Sequence, residues 1–168
     1  ELCIIKGSLD QITCKYDVIT MNNVLEHVPD PAKEFANIKR LLAKNGEAII
    51  GVPNINGLLF KIFKNKWAEL DLPRHLFLFN EKTLKNYATR NSLKISHVRY
   101  NCVPFEFTGS IFYFLNKFRK PKKLAQSIIA NYRFINVLFL PLCHIFSLLR
   151  IGGRIEITFK HVNAKRVA

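Results

Sequence analysis

The sequence predicts an α/β fold, on three observations. Short runs rich in β-branched residues alternate with segments of helical periodicity. The early strand-like runs do not alternate polar and apolar residues cleanly, which is typical of parallel strands covered on both faces. The clearest strand lies at residues 155–160, where Ile155, Ile157 and Phe159 alternate with polar side chains.

Three strands and one helix form the first part of the predicted sheet. We expect strands at residues 2–6, 16–21 and 47–52. Between the last two, Asp30 can cap a helix that has Pro31 at its first position and Phe35 and Ile38 on its apolar face. Asn45-Gly46 predicts the end of that helix. Strand, helix and strand in this order predict a parallel pair with a right-handed crossover.

The second part of the chain is less regular. Residues 55–79 predict a loop or lid, and Asn80 predicts the start of a helix that runs to about Arg90. A strand follows at 93–100. A helical, apolar insertion at about 105–150 comes next, with a basic break at 117–123. Its longest uncharged run, 134–149, falls short of the roughly 20 residues a membrane span needs, so we favour a helical pair covering the sheet or a pocket.

Composition limits the class of protein. The 168 residues predict one domain, and 49% hydrophobic with 23% charged residues is a globular composition that argues against disorder or a coiled coil. The four cysteines include no CxxC pair, which argues against a zinc site or a disulfide framework and favours a reducing, cytoplasmic location. Because the chain begins with Glu1 and its one methionine is Met21, we expect a piece of a longer protein.

Charge is distributed unevenly. Residues 1–58 carry six basic and seven acidic side chains, whereas residues 59–168 carry twenty basic and five acidic ones. The basic half has two interpretations. It contacts an anionic partner, either a membrane or a nucleic acid, or it is a solvated surface without a partner. The basic residues alternate with aliphatic runs rather than with a stacking platform, and no NPPY-like motif follows a strand, so nucleic acid is the less favoured partner.

Several segments in order carry a family resemblance. The run YDVITMNNVLEHVPDPAKEFANIKRLLAKNGEAIIGVPN, the later LDLPRHLFLFNEKTLKNYA and the terminal GGRIEITFKHV resemble the C-terminal portion of class I S-adenosylmethionine-dependent methyltransferases. The ubiquinone-biosynthesis O-methyltransferase-like group is the most similar. The resemblance implies a Rossmann-like methyltransferase sheet that is mostly parallel, has an antiparallel last strand and lacks its N-terminal strands here.

The resemblance also implies a cofactor and its contacts. Relatives open with a glycine-rich GxGxG loop, which these 168 residues lack, so we expect this piece alone to bind S-adenosylmethionine weakly or not at all. Ser8 and Leu9 would lie against adenine, or they form a plain turn. Asn22 and Asn23 would flank the methionine part of the cofactor, or they cap a helix.

Two histidines are the candidate catalytic bases. His27 is the first candidate and His75 the second, since a group with a pKa near neutral suits removal of an acceptor proton; a structural histidine bonded to backbone is the competing interpretation of each. Some relatives bind a divalent metal through an additional carboxylate, but Asn23 occupies that position, so we expect no metal. Trp67, Phe77 and Phe79 line an acceptor pocket or belong to the core, which is favoured.

The sequence therefore predicts methyl transfer in the full-length protein. The acceptor would be a small or lipid-like molecule, methylated on oxygen by analogy with the family. The alternative is a non-catalytic α/β module that docks on a membrane or a partner through its basic, apolar C-terminal half. Peripheral membrane contact fits both hypotheses.

Overall fold

A sheet of four strands organises the residues that the structure, a computed structural model, describes, namely 4, 6–117 and 131–162. The strands are β1 (Tyr16–Asn22), β2 (Leu42–Pro53), β3 (Leu93–Asn101) and β4 (Arg154–His161). The helices are α1 (Pro31–Leu41), α2 (Leu58–Phe63), α3 (Glu81–Arg90), α4 (Pro104–Lys117) and α5 (Tyr132–Leu148).

The last strand is inserted between two earlier ones. The spatial order is β1-β2-β4-β3; β1 and β2 are parallel, and β4 is antiparallel to both β2 and β3. Ile157 on β4 lies opposite Ile50 on one side and Val98 on the other. The predicted α/β class, the parallel strands and the antiparallel last strand are therefore confirmed. Of the expected strand at 2–6, residues 2, 3 and 5 lie outside the described residues, and Ile4 and Lys6 are not in a strand.

Helix α1 begins as predicted but ends differently. The Asp30 side chain accepts a hydrogen bond from the Lys33 N–H, and Pro31 occupies the first turn. The helix then passes directly into β2 at Leu42, five residues before the expected start. Gly46 does not end the helix: a Cβ there would lie 2.9 Å from the Asp17 carbonyl oxygen, so glycine permits the close approach of β1 at a register shift.

The main core lies between the sheet and helices α1 and α3. Phe35, Ile38, Leu84, Ile157 and Phe159 are fully or almost fully buried there. The alternation expected for the last strand is confirmed, since Ile155, Ile157 and Phe159 are buried while their neighbours are half-buried. This core fixes the distance between the strand ends and the loops above them.

A second, smaller core joins the helices that follow β2 to α4 and α5. It consists of Leu59, Trp67, Phe107 and Cys143. Residues 55–79 are therefore more ordered than the predicted loop or lid, because Leu59 and Trp67 anchor helix α2 and two 3₁₀ turns. Trp67 in this core and Phe79 in the main core confirm the favoured interpretation of both as core residues.

Helices α4 and α5 form the predicted helical pair. They contact each other, and α5 also contacts β3. Pro141 lies inside α5 without ending it. The basic break at 117–123 lies outside the described residues except for Lys117, the last residue of α4. Within the described ranges, no helix is both long and apolar enough to cross a membrane.

Replacing Phe35 by alanine tests the main core. The Phe35 ring stacks on Tyr87 at 5.4 Å and meets Phe159 edge to face at 5.6 Å. Because the side chain is fully buried, we expect Phe35→Ala to lower the free energy of unfolding by about 3–5 kcal/mol in denaturant titration. Lys39→Ala, on the exposed face of the same helix, is the matched control. Equal stability of the two variants would contradict this packing.

Candidate functional site

The candidate site lies beyond the carboxyl end of β1, where ligands bind in parallel α/β sheets. Asn22 ends the strand, and Asn23 follows it with a left-handed backbone at φ 54°. The Asn23 N–H donates to the Gly51 carbonyl at 2.9 Å, so the chain turns away from the sheet next to the end of β2. Asn is one of the few residues that tolerates this conformation. Both side chains are exposed.

A short turn then presents an acid and a histidine in succession. The 3₁₀ turn Leu25–His27 is anchored by Leu25, which is fully buried in the main core. Glu26 is 1% exposed, whereas His27 is exposed. Adjacent residues thus supply one buried carboxylate and one accessible imidazole.

Backbone hydrogen bonds attach a distant segment to this turn. The N–H groups of Leu76 and Phe77 donate to the Glu26 carbonyl at 2.8 and 3.3 Å. A turn over Asp71 precedes them, in which the Arg74 N–H donates to the Asp71 carbonyl at 2.9 Å. His75, 8% exposed, thereby reaches His27, and the two ring centroids are 4.8 Å apart. The structure therefore brings both candidate bases into one site.

Each imidazole is held by a backbone carbonyl. The Nδ1 atom of His27 lies 2.9 Å from the Arg74 oxygen, and Nδ1 of His75 lies 2.8 Å from the Glu69 oxygen. A carbonyl oxygen only accepts, so in each ring Nδ1 carries the hydrogen and donates it. In the neutral rings, each Nε2 atom then has a free lone pair that can accept a proton or bind a cation.

Glu26 lies next to the two imidazole rings. The His75 Nε2 atom lies 3.9 Å from Glu26 Oε1, and ligand atoms of Glu26, His27 and His75 all lie within 4.8 Å of one another. Two imidazoles and a carboxylate are a donor set that suits a divalent cation. The expectation of no metal, which rested on Asn23, stays a prediction; the Asn23 side-chain oxygen accepts a hydrogen bond from Arg154 instead.

These groups line a cavity of about 280 Å³. Its charged side chains are Glu26, Glu69, Asp71, Arg74 and Arg154. Arg74 pairs with Asp71 at 2.6 Å, and Arg154 lies 3.8 Å from Glu69. Burial raises the pKa of Glu69, and the Arg154 charge opposes that rise. Phe105 and Tyr113 of α4 add an aromatic side to the cavity.

The candidate cofactor residues do not all meet there. Asn23 lines the cavity together with both histidines, whereas Asn22, Ser8 and Leu9 do not. The Ser8 hydroxyl accepts a hydrogen bond from the Asp10 N–H and caps the 3₁₀ turn Leu9–Gln11. The Leu9 carbonyl accepts from the Arg40 guanidinium at 2.7 Å. These contacts describe an ordered turn, and a cofactor role for Ser8 and Leu9 stays a prediction.

Sequence reasoning missed three charged residues at or near the site. Glu69 lies in the 3₁₀ turn Ala68–Leu70, Arg154 is the first residue of β4, and Glu106 lies in the first turn of α4. Glu106 alone carried a signal, since it is an isolated acid at the start of a long apolar segment. Glu69 and Arg154 are distant in sequence, and only β4 insertion brings them together.

The sequence matches a known protein family. A family model described as a methyltransferase domain matches residues 6–98, more than half of the chain. The chain belongs to this methyltransferase family. No curated protein matches it.

Solved structures of methyltransferases have the same fold as this chain. A SAM-dependent methyltransferase from Thermotoga maritima, described as a possible histamine N-methyltransferase, is 13% identical with a TM-score of 0.53, over 94% of this chain and 63% of that one. An O-methyltransferase from a Brevibacillus brevis trans-AT PKS multienzyme, in complex with S-adenosyl-L-homocysteine, is also 13% identical with a TM-score of 0.51, over 94% and 48%.

A third solved structure also combines low sequence identity with a similar fold. A putative sarcosine dimethylglycine methyltransferase from Galdieria sulphuraria is 15% identical with a TM-score of 0.51, over 94% of this chain and 58% of that one. This methyltransferase chain thus spans about half to two thirds of the length of these three structures. At such identities the likeness establishes the fold alone, and the ubiquinone-related subgroup stays a prediction.

Glu106 connects the stability of this chain to pH. Its side chain is fully buried, and Oε1 accepts a hydrogen bond from the Val103 N–H at 3.1 Å. Burial raises the pKa of Glu106 from 4.5 to about 7, with the Val103 hydrogen bond opposing the rise. The protonated form is therefore the one that the fold favours. The contribution of Glu106 to stability is fully present below its pKa in the unfolded chain. It is lost as the pH rises through its pKa in the folded state.

Glu106→Gln tests this proton. The amide resembles the protonated acid and does not ionise. As the pH rises from 5 to 8, the free energy of unfolding of the variant should therefore increase relative to that of the parent by on the order of 3 kcal/mol. Urea titrations of both proteins at several pH values measure that difference. Glu47→Gln, an exposed carboxylate paired with Lys160 at 2.6 Å, is the control. Parallel pH profiles for parent and Glu106→Gln would show that Glu106 does not titrate in this range.

Proposed function

We propose that the full-length protein transfers a methyl group from S-adenosylmethionine to an oxygen atom of a small or lipid-like acceptor. The observation that carries this proposal is the pair of histidines at the carboxyl end of β1, each with Nδ1–H held by a carbonyl and Nε2 left as a proton acceptor. Membership of the methyltransferase family supports catalysis over the alternative of a purely docking module.

The exposed amides at the end of β1 suit the cofactor. Asn22 and Asn23 offer both donors and acceptors, which match the carboxylate and ammonium of its methionine part. Ser8 and Leu9 would contribute contacts to adenine. S-adenosylmethionine, when bound, supplies an electrophilic methyl group on a sulfonium sulfur. Everything else that the reaction needs is orientation of the acceptor and removal of one proton.

His27 is the better placed base. It is exposed at the cavity, whereas His75 is 8% exposed beneath it. The acceptor hydroxyl gives its proton to His27 Nε2, and the oxygen forms the new bond to the methyl carbon while the carbon–sulfur electrons return to sulfur. Tyr113 and Phe105 give the cavity an apolar side for the body of the acceptor. His75 packs against His27, with the two ring centroids 4.8 Å apart.

Alanine at each histidine tests these roles in the full-length protein. His27→Ala should lower kcat by about 10²–10⁴-fold, as loss of a general base does, with binding of S-adenosylmethionine unchanged in calorimetry. His75→Ala should have the smaller effect. The exposed His97 on β3 supplies the matched control, His97→Ala. A larger loss for His75→Ala would exchange the two roles, and unchanged rates in both variants would refute a histidine base.

A lipid-like acceptor is supported by the surface of α5. Exposed apolar side chains recur along one face of the helix at Phe134, Leu138, Ile145 and Leu148. No acidic residue occurs between Glu106 and Glu156, and the chain carries a net charge of +14. Since a basic protein with an exposed apolar helix face is suited to an anionic bilayer surface, we propose peripheral contact with such membranes. A docking module without catalysis would use the same face.

Vesicle binding tests this contact. The protein should co-sediment with phosphatidylserine-containing vesicles, and less so as salt rises, because each Lys or Arg near the surface contributes about 1 kcal/mol. The double variant Phe134→Ser and Leu138→Ser should bind about tenfold or more weakly, since it removes two large apolar side chains from the contact. Ile62→Ser, an equally exposed apolar residue on α2, is the matched control. Failure to bind anionic vesicles at low salt would contradict membrane contact.

A further inference from the structure

Glu26 is a buried carboxylate that the rest of the chain does not satisfy. Its side chain is 1% exposed, and among the described residues neither carboxylate oxygen has a hydrogen-bond partner. Burial of an unpaired carboxylate is unfavourable unless a donor or a cation compensates it. Glu26 lines the same cavity as both histidines, so the group that compensates it can come from a bound molecule.

The donors around Glu26 are committed elsewhere. The N–H groups of Leu76 and Phe77 bind its backbone carbonyl rather than its carboxylate. Both imidazole Nδ1–H groups bind carbonyls, and His75 Nε2 at 3.9 Å is beyond hydrogen-bond distance. The guanidiniums lie near other acids, Arg74 on Asp71 and Arg154 near Glu69. Glu26 is thus the carboxylate of this cavity that has no guanidinium beside it.

A hydroxyl group fits this position better than an ammonium group does. The net charge of +14 gives the protein a field that disfavours cationic ligands. An ammonium group at Glu26 would also stand beside His27 and His75 and lower their tendency to accept a proton. A neutral O–H donor satisfies the carboxylate with a charge-assisted hydrogen bond and leaves both imidazoles basic.

We propose that Glu26 binds a second hydroxyl of the acceptor, next to the hydroxyl that is methylated. Glu26 accepts the hydrogen of the second hydroxyl while His27 accepts the proton of the first, so this inference rests on the proposed function. Ligand atoms of Glu26 and His27 lie within 4.8 Å of each other, so one molecule with two neighbouring hydroxyls can reach both side chains. Glu26 thereby selects dihydroxylated acceptors and binds their singly hydroxylated analogues more weakly.

Three related aromatic compounds test this selection without cofactor or methyl transfer. Resorcinol has two O–H donors, 3-methoxyphenol has one and 1,3-dimethoxybenzene has none. We expect affinity to fall in that order, by about tenfold when the donor to Glu26 is lost. Titrations of the 168-residue chain, followed through the imidazole proton resonances in NMR, measure it. His27 and His75 should shift, with the exposed His97 as the internal reference.

Variants at Glu26 assign the effect to this carboxylate. Glu26→Gln should lower the affinity for resorcinol to that for 3-methoxyphenol, whereas Glu47→Gln leaves it unchanged. Glu26→Asp keeps the charge and should keep the preference for resorcinol at reduced affinity, which guards against a fold defect in the amide variant. Circular dichroism verifies that each variant is folded.

Several results would overturn the proposal. Equal affinities for the three aromatic compounds, or no binding of any of them, would exclude selection by Glu26, as would unchanged discrimination in Glu26→Gln. Tighter binding of 3-(aminomethyl)phenol than of resorcinol would identify a cation subsite. Micromolar binding of Zn²⁺ alone, with no discrimination among the three compounds, would identify Glu26, His27 and His75 as a metal site. Because none of these measurements uses S-adenosylmethionine, absence of methyl transfer would refute the proposed function separately.

Discussion

Insertion of β4 between β2 and β3 is the constraint on which the rest of this structure depends. The inserted strand supplies hydrogen bonds to both neighbours and buries Ile155, Ile157 and Phe159 under α1 and α3. It also carries Arg154 to the carboxyl end of β1, where the guanidinium contacts Asn23 and Glu69. Two adjacent glycines precede the strand, and the Gly152 and Gly153 carbonyls accept hydrogen bonds from Asn54. The start of β4 therefore contributes to the site.

The two histidines meet because of backbone rather than side-chain contacts. The Glu26 carbonyl accepts hydrogen bonds from N–H groups 50 and 51 positions away, and this pairing aligns His27 with His75. Carbonyls of Arg74 and Glu69 then set the tautomer of each ring. The orientation of the two rings therefore depends on backbone carbonyls, which every residue has.

Burial of acidic side chains at this end of the sheet opposes folding. Glu26, Glu69 and Glu106 are all largely withdrawn from water, and burial raises the pKa of the last two. A chain selected for stability alone would place apolar side chains there. Glu26 and Glu69 line one cavity, and buried acids in a cavity are typical of a functional site, where binding or proton transfer compensates their unfavourable burial.

The sequence by itself determined the α/β class, the caps at Asp30 and Asn80, and the alternation of β4, because these depend on local backbone preferences and periodicity. It also indicated His27 and His75. Tertiary structure alone decided that Gly46 lies at a register shift rather than at a helix end, and that Glu26 is unpaired and Arg154 belongs to the site. The physical reason is sequence distance: burial and charge contacts between segments 131 positions apart, such as Asn23 and Arg154, leave no local pattern.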